Sequence, residues 1–151
     1  MATTVEQLLN HKGRQIHAVE PSTPIGRAVA LFGERQIGAV LVCDSRNVVG
    51  VLSERDLLRG VLWKNQCTTE SPVRDVMRID FPTVESTDSI QHCMSLMNDR
   101  RTRHLPVIDQ GTLVGIISIG DVINGLLREQ QHLIESLEVY ISGSPSIRPA
   151  H

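Results

Sequence analysis

The feature that most constrains this sequence is a repeat of its own residues at an offset of 65 positions (115 − 50 = 65). Gly50–Asp56 reads GVLSERD and Gly115–Asp121 reads GIISIGD, so a glycine, two apolar residues, a serine and an aspartate recur in the same order. The correspondence runs without a gap from Val19 to Leu127. An internal repeat of this kind indicates one supersecondary unit used twice, with each copy burying its apolar face against the other.

Each unit contains the same predicted order of elements. The extended segments IHAV and FPTV come first, and helices with apolar residues at three-to-four spacing follow them. Two apolar runs come next in each unit, joined by the turn residues DSRN or DQGT, which predicts hairpins. A second helix closes each unit. The predicted fold class is therefore α/β (α+β): two pseudo-symmetric repeats, each in the order strand–helix–strand–strand–helix.

The predicted boundaries place the first repeat, with an N-terminal helix, at 1–70, the second repeat at 71–130, and a C-terminal helix and tail at 131–151. TVEQLL near the start resembles PVRDVM, so we expect each unit to begin with this element. The C-terminal helix carries apolar residues at helical spacing: Leu133, Ile134, Leu137 and Ile141. Two alternatives stay open for that face, which either pairs with a second copy or a target, or packs back on its own repeats. The tail SPSIRPAH is expected to be loose.

Composition and charge argue against several function classes. The 151 residues carry a formal net charge of −2, whereas a general nucleic-acid binder normally has a basic surplus. The apolar runs are too short for a membrane span, and the N-terminus lacks a signal pattern, so we expect a cytoplasmic protein with no membrane partner. Three cysteines without a C-x-x-C spacing and six histidines without a ligand pattern predict no metal. Neither a nucleophile elbow nor a P-loop is present, so we expect no enzyme.

The repeated serine and aspartate have two interpretations. Ser53 falls at a predicted strand-to-helix junction and Asp56 lies three residues on, as Ser118 and Asp121 do in the second unit. This is the spacing of a capping box, which is a purely structural role. The same groups also suit a nucleotide, because a helix start attracts phosphate and an ionised aspartate can accept both hydrogens of a ribose diol. The preceding glycine would let backbone or ligand approach closely.

The segments IGAVLVCDSRNVVGVLSERDLL and TRHLPVIDQGTLVGIISIGDVI carry a family resemblance. From about Val5 to Leu127 the chain resembles a tandem pair of CBS (cystathionine β-synthase) domains, often called a Bateman module. The resemblance implies a regulatory module that binds AMP, ADP, ATP, NAD(H) or, in some members, S-adenosylmethionine. It also implies a flat homodimer that signals by conformational change to a downstream protein target not named by the sequence. The alternative is a structural dimerisation or interaction module whose clefts stay empty.

The resemblance further implies two clefts, each built from both repeats. One cleft would join Ser118 and Asp121 to Thr23, Ala28, Ile37 and Gly38. The other would join Ser53 and Asp56 to Asp88, Thr102 and Arg103, with Arg55 of the motif as a further candidate.

The resemblance gives these candidates different roles, and some keep a plain structural alternative. Ile37 would face the adenine, whereas Asp88 would either accept from the adenine amino group or cap a helix. Arg103 and Arg55 are phosphate partners or solvated surface residues. Because the cleft with Arg103 is more cationic than the cleft with Gly38, we expect it to favour the more highly charged phosphate.

Overall fold

A computed structural model describes residues 2–142 of the chain. The chain begins with helix α1 (Val5–Lys12). The first repeat follows, with β1 (Ala18–Val19), α2 (Ile25–Arg35), β2 (Ala39–Asp44), β3 (Asn47–Ser53) and α3 (Glu54–Leu57), which continues as a π-helical segment (Leu58–Trp63). A 3-10 turn (Val73–Asp75) leads into the second repeat, with α4 (Ile90–Arg100), β4 (His104–Asp109), β5 (Thr112–Ser118) and α5 (Ile119–Ser142).

The two repeats share strand topology down to their irregularities, which confirms the predicted fold class. In the first repeat β1 pairs in parallel with β2, and β2 pairs antiparallel with β3. In the second repeat β4 pairs antiparallel with β5, and Val84 alone bridges Val107 in parallel. The predicted extended segment FPTV is therefore a single bridge rather than a strand. Each hairpin shifts register at the equivalent point, after Val42 and after Val107.

Each repeat has its own apolar core. Buried residues of the first core are Ile25, Ala28, Phe32, Val40, Val42, Leu52 and Val73. Buried residues of the second core are Val5, Leu8, Leu9, Val84, Ile90, Cys93, Met97, Leu105, Val107, Ile117 and Val122. Because strands in both repeats are covered by helices, their apolar runs are nearly continuous rather than alternating.

The leading elements are exchanged between the repeats. Helix α1 packs on the second repeat, where Val5 donates its backbone N–H to Asp88 O. The 3-10 turn takes the equivalent place on the first repeat, where Val73 donates its backbone N–H to Thr23 O. The resemblance of TVEQLL to PVRDVM predicts equivalent leading elements, and the structure has them, although only TVEQLL belongs to an α-helix. The boundary at 70/71 stays a prediction, and α1 and the 3-10 turn each pack on the repeat that lies on the other side of it.

This exchange explains the glycine of each motif. A Cβ added at Gly50 would lie 2.5 Å from Sδ of Met77, which follows the 3-10 turn. A Cβ added at Gly115 would lie 2.7 Å from Cδ2 of Leu9 in α1. The close approach that each glycine permits is therefore to a side chain of the exchanged element, whereas the sequence interpretation assigned it to backbone or ligand.

Helix α5 runs without a break through the predicted boundary at 130/131. Its apolar residues Leu133, Ile134, Leu137 and Ile141 are all exposed, so they do not pack back on the repeats in the described part of the chain. The expected loose tail SPSIRPAH lies outside the described residues. Among residues 2–142, no helix is both long and apolar enough to cross a membrane.

Candidate functional site

Each serine–aspartate motif forms a capping box at the start of a helix. The Ser53 N–H donates to Asp56 Oδ2 over 2.9 Å, and the Asp56 N–H donates to Ser53 Oγ over 3.3 Å. In the second repeat the Ser118 N–H donates to Asp121 Oδ2 over 2.7 Å, and the Asp121 N–H donates to Ser118 Oγ over 3.3 Å. Both copies of the motif therefore have the structural, helix-capping role.

Capping leaves one oxygen of each carboxylate available. Within residues 2–142, the hydrogen bonds and the ion pair that the two carboxylates make all end on Oδ2 of Asp56 or Oδ2 of Asp121. An ionised carboxylate offers about four acceptor positions on its two oxygens. Each aspartate can thus fix its helix start and still accept hydrogen bonds from a ligand, so the two roles do not exclude each other.

A large cleft, here called the Ser53 cleft, lies between the repeats and has a volume of about 1080 Å³. The first repeat lines it with Ser53, Arg55 and Asp56 of the motif. The second repeat lines it with Thr102 and Arg103 from the segment between α4 and β4. This segment reaches the cleft because α4 ends at a residue in the left-handed conformation, at φ 51°, which turns the chain back towards β4.

The Ser53 cleft is cationic. Seven arginines and lysines line it against four acidic residues, namely Arg55, Arg59, Lys64, Arg78, Arg100, Arg101 and Arg103 against Glu54, Asp56, Asp75 and Asp99. Two of the cations are already engaged, because Arg78 donates to Arg100 O over 2.7 Å and Arg100 pairs with Asp80 over 2.7 Å. In the described part of the chain, Arg55 and Arg103 make neither an ion pair nor a side-chain hydrogen bond. Their planar, forked donors are therefore available to an anion.

A smaller cleft, here called the Ser118 cleft, has a volume of about 380 Å³. The second repeat contributes Ser118, and the first repeat contributes Ile37 and Gly38 from the segment after α2. The end of α1 supplies a further wall through Lys12. Like its larger counterpart, the Ser118 cleft is thus composed of residues from both repeats.

Lys12 enters the Ser118 cleft as a cation. Its Nζ donates to Asp121 Oδ2 over 2.7 Å and to the backbone oxygen of Ile116 over 2.9 Å. Burial raises the pKa of Asp121, but hydrogen bonds from Lys12 and Ser118 and the charge of Lys12 outweigh it. The pKa of Asp121 therefore lies below its ordinary value, and this carboxylate is ionised at neutral pH.

His104 forms the wall shared by the two clefts. A Cβ added at Gly38 would lie 3.7 Å from both Cε1 and Nε2 of the imidazole. Burial lowers the pKa of His104, the charges of Lys12 and Arg103 lower it further, and the carboxylates of Asp121 and Asp56 act in the opposite direction. The imidazole is therefore neutral at neutral pH and presents one donor and one acceptor.

The structure does not bring four of the predicted site residues, Thr23, Ala28, Asp88 and Asp121, to the lining of either cleft. Asp121 is bonded to Lys12, which does line the Ser118 cleft. Ala28 is fully buried in the core of the first repeat. Thr23 Oγ1 accepts from the Glu20 N–H over 3.1 Å, and Asp88 Oδ2 accepts from the Glu85 N–H over 2.7 Å. Thr23 and Asp88 thus close equivalent turns ahead of α2 and α4, which is a structural job. Their contact with a ligand stays a prediction that the geometry does not support.

Sequence reasoning did not find several residues that line the clefts. Lys12 was not predicted, because nothing in the linear sequence indicates that α1 packs on the second repeat. Arg59 and Lys64 follow the motif helix, and only the fold shows that this side of the helix faces the Ser53 cleft. The resemblance of TVEQLL to PVRDVM indicates equivalent leading elements in the two units, but it does not indicate which repeat each element packs on.

Comparisons with known proteins agree with the division into two repeats. The CBS domain family profile matches residues 5–62 and 73–128. The CBS domain-containing protein CBSX3, mitochondrial, from Arabidopsis thaliana is 27% identical over 151 residues, covering 94% of this chain and 73% of the relative. The CBS-domain containing protein ATU1752 from Agrobacterium tumefaciens is 36% identical with a TM-score of 0.78, covering 83% and 94% of the two chains. A crystal structure of CBSX2 in complex with AMP is 28% identical with a TM-score of 0.69, covering 83% and 97%.

Proposed function

Because the chain belongs to the CBS domain family, we propose that it is a regulatory adenine-nucleotide-binding module that binds AMP, ADP, ATP or NAD(H) between its repeats. The observation that carries this proposal is the Ser53 cleft of about 1080 Å³, which Asp56 lines together with Arg55 and Arg103, two arginines that make no ion pair within residues 2–142. AMP in the crystal structure of the related CBSX2 supports an adenosine-type ligand. The cytoplasmic location stays a prediction.

The proposed contacts follow from the chemistry of each group. Asp56 Oδ1 accepts from the ribose hydroxyls, while Oδ2 keeps its capping bonds to Ser53. The phosphates bind to Arg103 of the second repeat and to Arg55, which lies next to Asp56 on the motif helix. Thr102 and Arg103 belong to the second repeat and Asp56 to the first, so one bound nucleotide joins the two repeats. With seven cations against four acids, this cleft favours ATP over AMP.

A thermal-shift panel of adenine nucleotides tests the proposal. A ligand at 100 times its dissociation constant stabilises the folded state by about 2.7 kcal/mol, which raises Tm by roughly 5–10 °C in a chain of this size. Asp56→Asn should weaken binding by about 10–100-fold, because the amide can keep the capping bond through its oxygen and then presents a donor to the ribose donors.

The matched control is Asp44→Asn, the same chemical change at the exposed end of β2, outside both clefts. It should leave the nucleotide response unchanged. A wild-type protein whose Tm stays constant with every nucleotide in the panel would contradict the proposal and favour the structural interaction module. Chromatography of nucleotide incubated with the protein should recover it unchanged, as expected of a sensor rather than an enzyme.

Signalling would require two arrangements of the repeats with different ligand contacts, since only a differential affinity shifts a population. A nucleotide held by Asp56 and Arg103 stabilises the arrangement in which these residues face each other. Amide hydrogen exchange of residues 98–104, with and without ATP, tests this: slower exchange supports the mechanism, and unchanged exchange contradicts it.

We further propose a homodimer, which a specific set of exposed residues favours. Leu58 and Ile123 occupy equivalent positions in the two repeats, as do Leu62 and Leu127, and all four side chains are exposed. A two-fold interface buries the same patch on both copies, and the π-helical segment after α3 together with the start of α5 provides an apolar patch of this kind. Light scattering should give twice the monomer mass. Leu62→Glu should lower the measured mass towards the monomer, whereas Ile79→Glu, at another exposed position, should not.

The downstream target is proposed to bind the end of α5. Leu133, Ile134, Leu137 and Ile141 expose an apolar stripe at helical spacing, the last of them 83% exposed. A synthetic peptide of α5 that carries this stripe should compete with the intact protein for the target, and failure to compete would place the target elsewhere on the surface.

A further inference from the structure

The two clefts differ in the cation beside the motif carboxylate. Lys12, which lines the Ser118 cleft, pairs over 2.7 Å with Asp121, which does not line it. Across residues 2–142 no arginine or lysine makes an ion pair with Asp56 in the Ser53 cleft. The difference arises from the exchanged elements. Helix α1 carries Lys12 to Asp121, whereas Arg78, which follows the 3-10 turn and lines the Ser53 cleft, donates to the backbone oxygens of Asp80 and Arg100 instead.

Lys12 lines the Ser118 cleft and binds the motif carboxylate that a ligand would have to reach. Its Nζ donates to the carboxylate of Asp121 and to the backbone oxygen of Ile116, so the ammonium is fixed at two points, of which Ile116 lines the cleft. An ion-paired carboxylate is a weaker acceptor for ribose hydroxyls, because part of its negative charge is already compensated. The lysine stem also fills space in a cleft of only about 380 Å³.

We propose that Lys12 is a specificity-determining residue: it holds Asp121 in an intramolecular ion pair, so that adenine nucleotide fills the Ser53 cleft first and the Ser118 cleft second. This inference rests on the proposed function, since it concerns the order in which the same ligand enters the two clefts. Each nucleotide that enters the Ser118 cleft must release Lys12 from Asp121 or bind beside an already engaged carboxylate.

The expected effect is moderate, because the Lys12 and Asp121 side chains are 30% and 20% exposed and solvent screens the pair. Removing the lysine charge should strengthen nucleotide binding at the Ser118 cleft by about three- to tenfold.

Isothermal titration with AMP tests the inference in an Asp56→Asn background, in which binding at the Ser53 cleft is weakened, so that a change in affinity on replacing Lys12 reports the Ser118 cleft. Adding Lys12→Met, which keeps an unbranched stem without the charge, should give the three- to tenfold gain. Lys12→Gln, which keeps a donor for Ile116, should give a smaller gain and serves if the methionine variant does not fold. Arg14→Met is the matched control, because Arg14 bonds Asn10 over 2.6 Å and lies outside the cleft.

Adenosine provides a second probe, since it has the ribose diol but no phosphate. If Lys12 competes for Asp121, both AMP and adenosine bind more tightly to the Lys12→Met variant. Unchanged affinity, or weaker AMP binding that shows Lys12 to be a phosphate contact, overturns the inference while leaving the proposed function intact. Absence of nucleotide binding by the wild-type protein overturns the proposed function itself.

Discussion

Replacing Gly115 with alanine tests whether α1 belongs to the second repeat. The new Cβ would lie 2.7 Å from Cδ2 of Leu9, closer than real Cβ contacts come, and 3.1 Å from Cδ1, tighter than most of them. Leu9 is fully buried, so its methyl groups have no solvent to move into. Overpacking of this kind costs roughly 1–3 kcal/mol, and we expect Gly115→Ala to lower the free energy of unfolding by about 2 kcal/mol.

Urea denaturation of a double-mutant cycle measures the effect. Leu9→Ala alone should cost about 2–5 kcal/mol through the cavity that it leaves. In the double variant the alanine methyl at position 115 enters that space, so the combined cost should fall short of the sum by at least about 1 kcal/mol. Gly33→Ala is the control, because no atom lies within 4 Å of its added Cβ, and it should stabilise the chain by about 0.5–1 kcal/mol. Single costs that add to within about 0.5 kcal/mol would refute the packing account.

Three further predictions concern other residues. Ser53→Ala removes a capping acceptor and should cost about 1 kcal/mol in urea denaturation, and an unchanged midpoint would count against the cap. The pKa of His104 in the folded state lies below its unfolded value of about 6.5, so the unfolded state binds the proton first as the pH falls. The wild type should therefore lose more free energy of unfolding between pH 7 and 5.5 than the His104→Gln variant does. Burial and the charge of Asp88 raise the pKa of Cys93 to about 11, although a backbone hydrogen bond lowers it. A thiol reagent at pH 8 should therefore label Cys67, which is only partly buried, well before the buried Cys93, and equal labelling rates would contradict this.

The repeat made most of the fold predictable. Positions 65 apart share strand pairing, the hairpin bulges and even left-handed residues, since Gln36 and Arg101 end their helices at φ 52° and φ 51°. These features follow from local sequence, which the two units hold in common. The exchange of α1 could not be read from the sequence, because it depends on which core accepts Val5, Leu8 and Leu9.

The site was predictable where the motif supplied it and not where the fold supplied it. Ser53 and Asp56 were found from the repeated motif, Arg103 was implied by the family resemblance, and all three line one cleft. Ala28 was carried over by resemblance alone, and in this chain its small side chain is enclosed by the core of the first repeat. Lys12 reaches the Ser118 cleft only through the exchange of α1, a long-range event with no local signal.

The most direct test of the central claim is a crystal structure of the protein grown with AMP. The account predicts AMP in the Ser53 cleft, with ribose oxygens within about 3.2 Å of the Asp56 carboxylate and the phosphate facing Arg103. Ligand density elsewhere, with the Asp56 carboxylate bonded only to the start of its own helix, would contradict it.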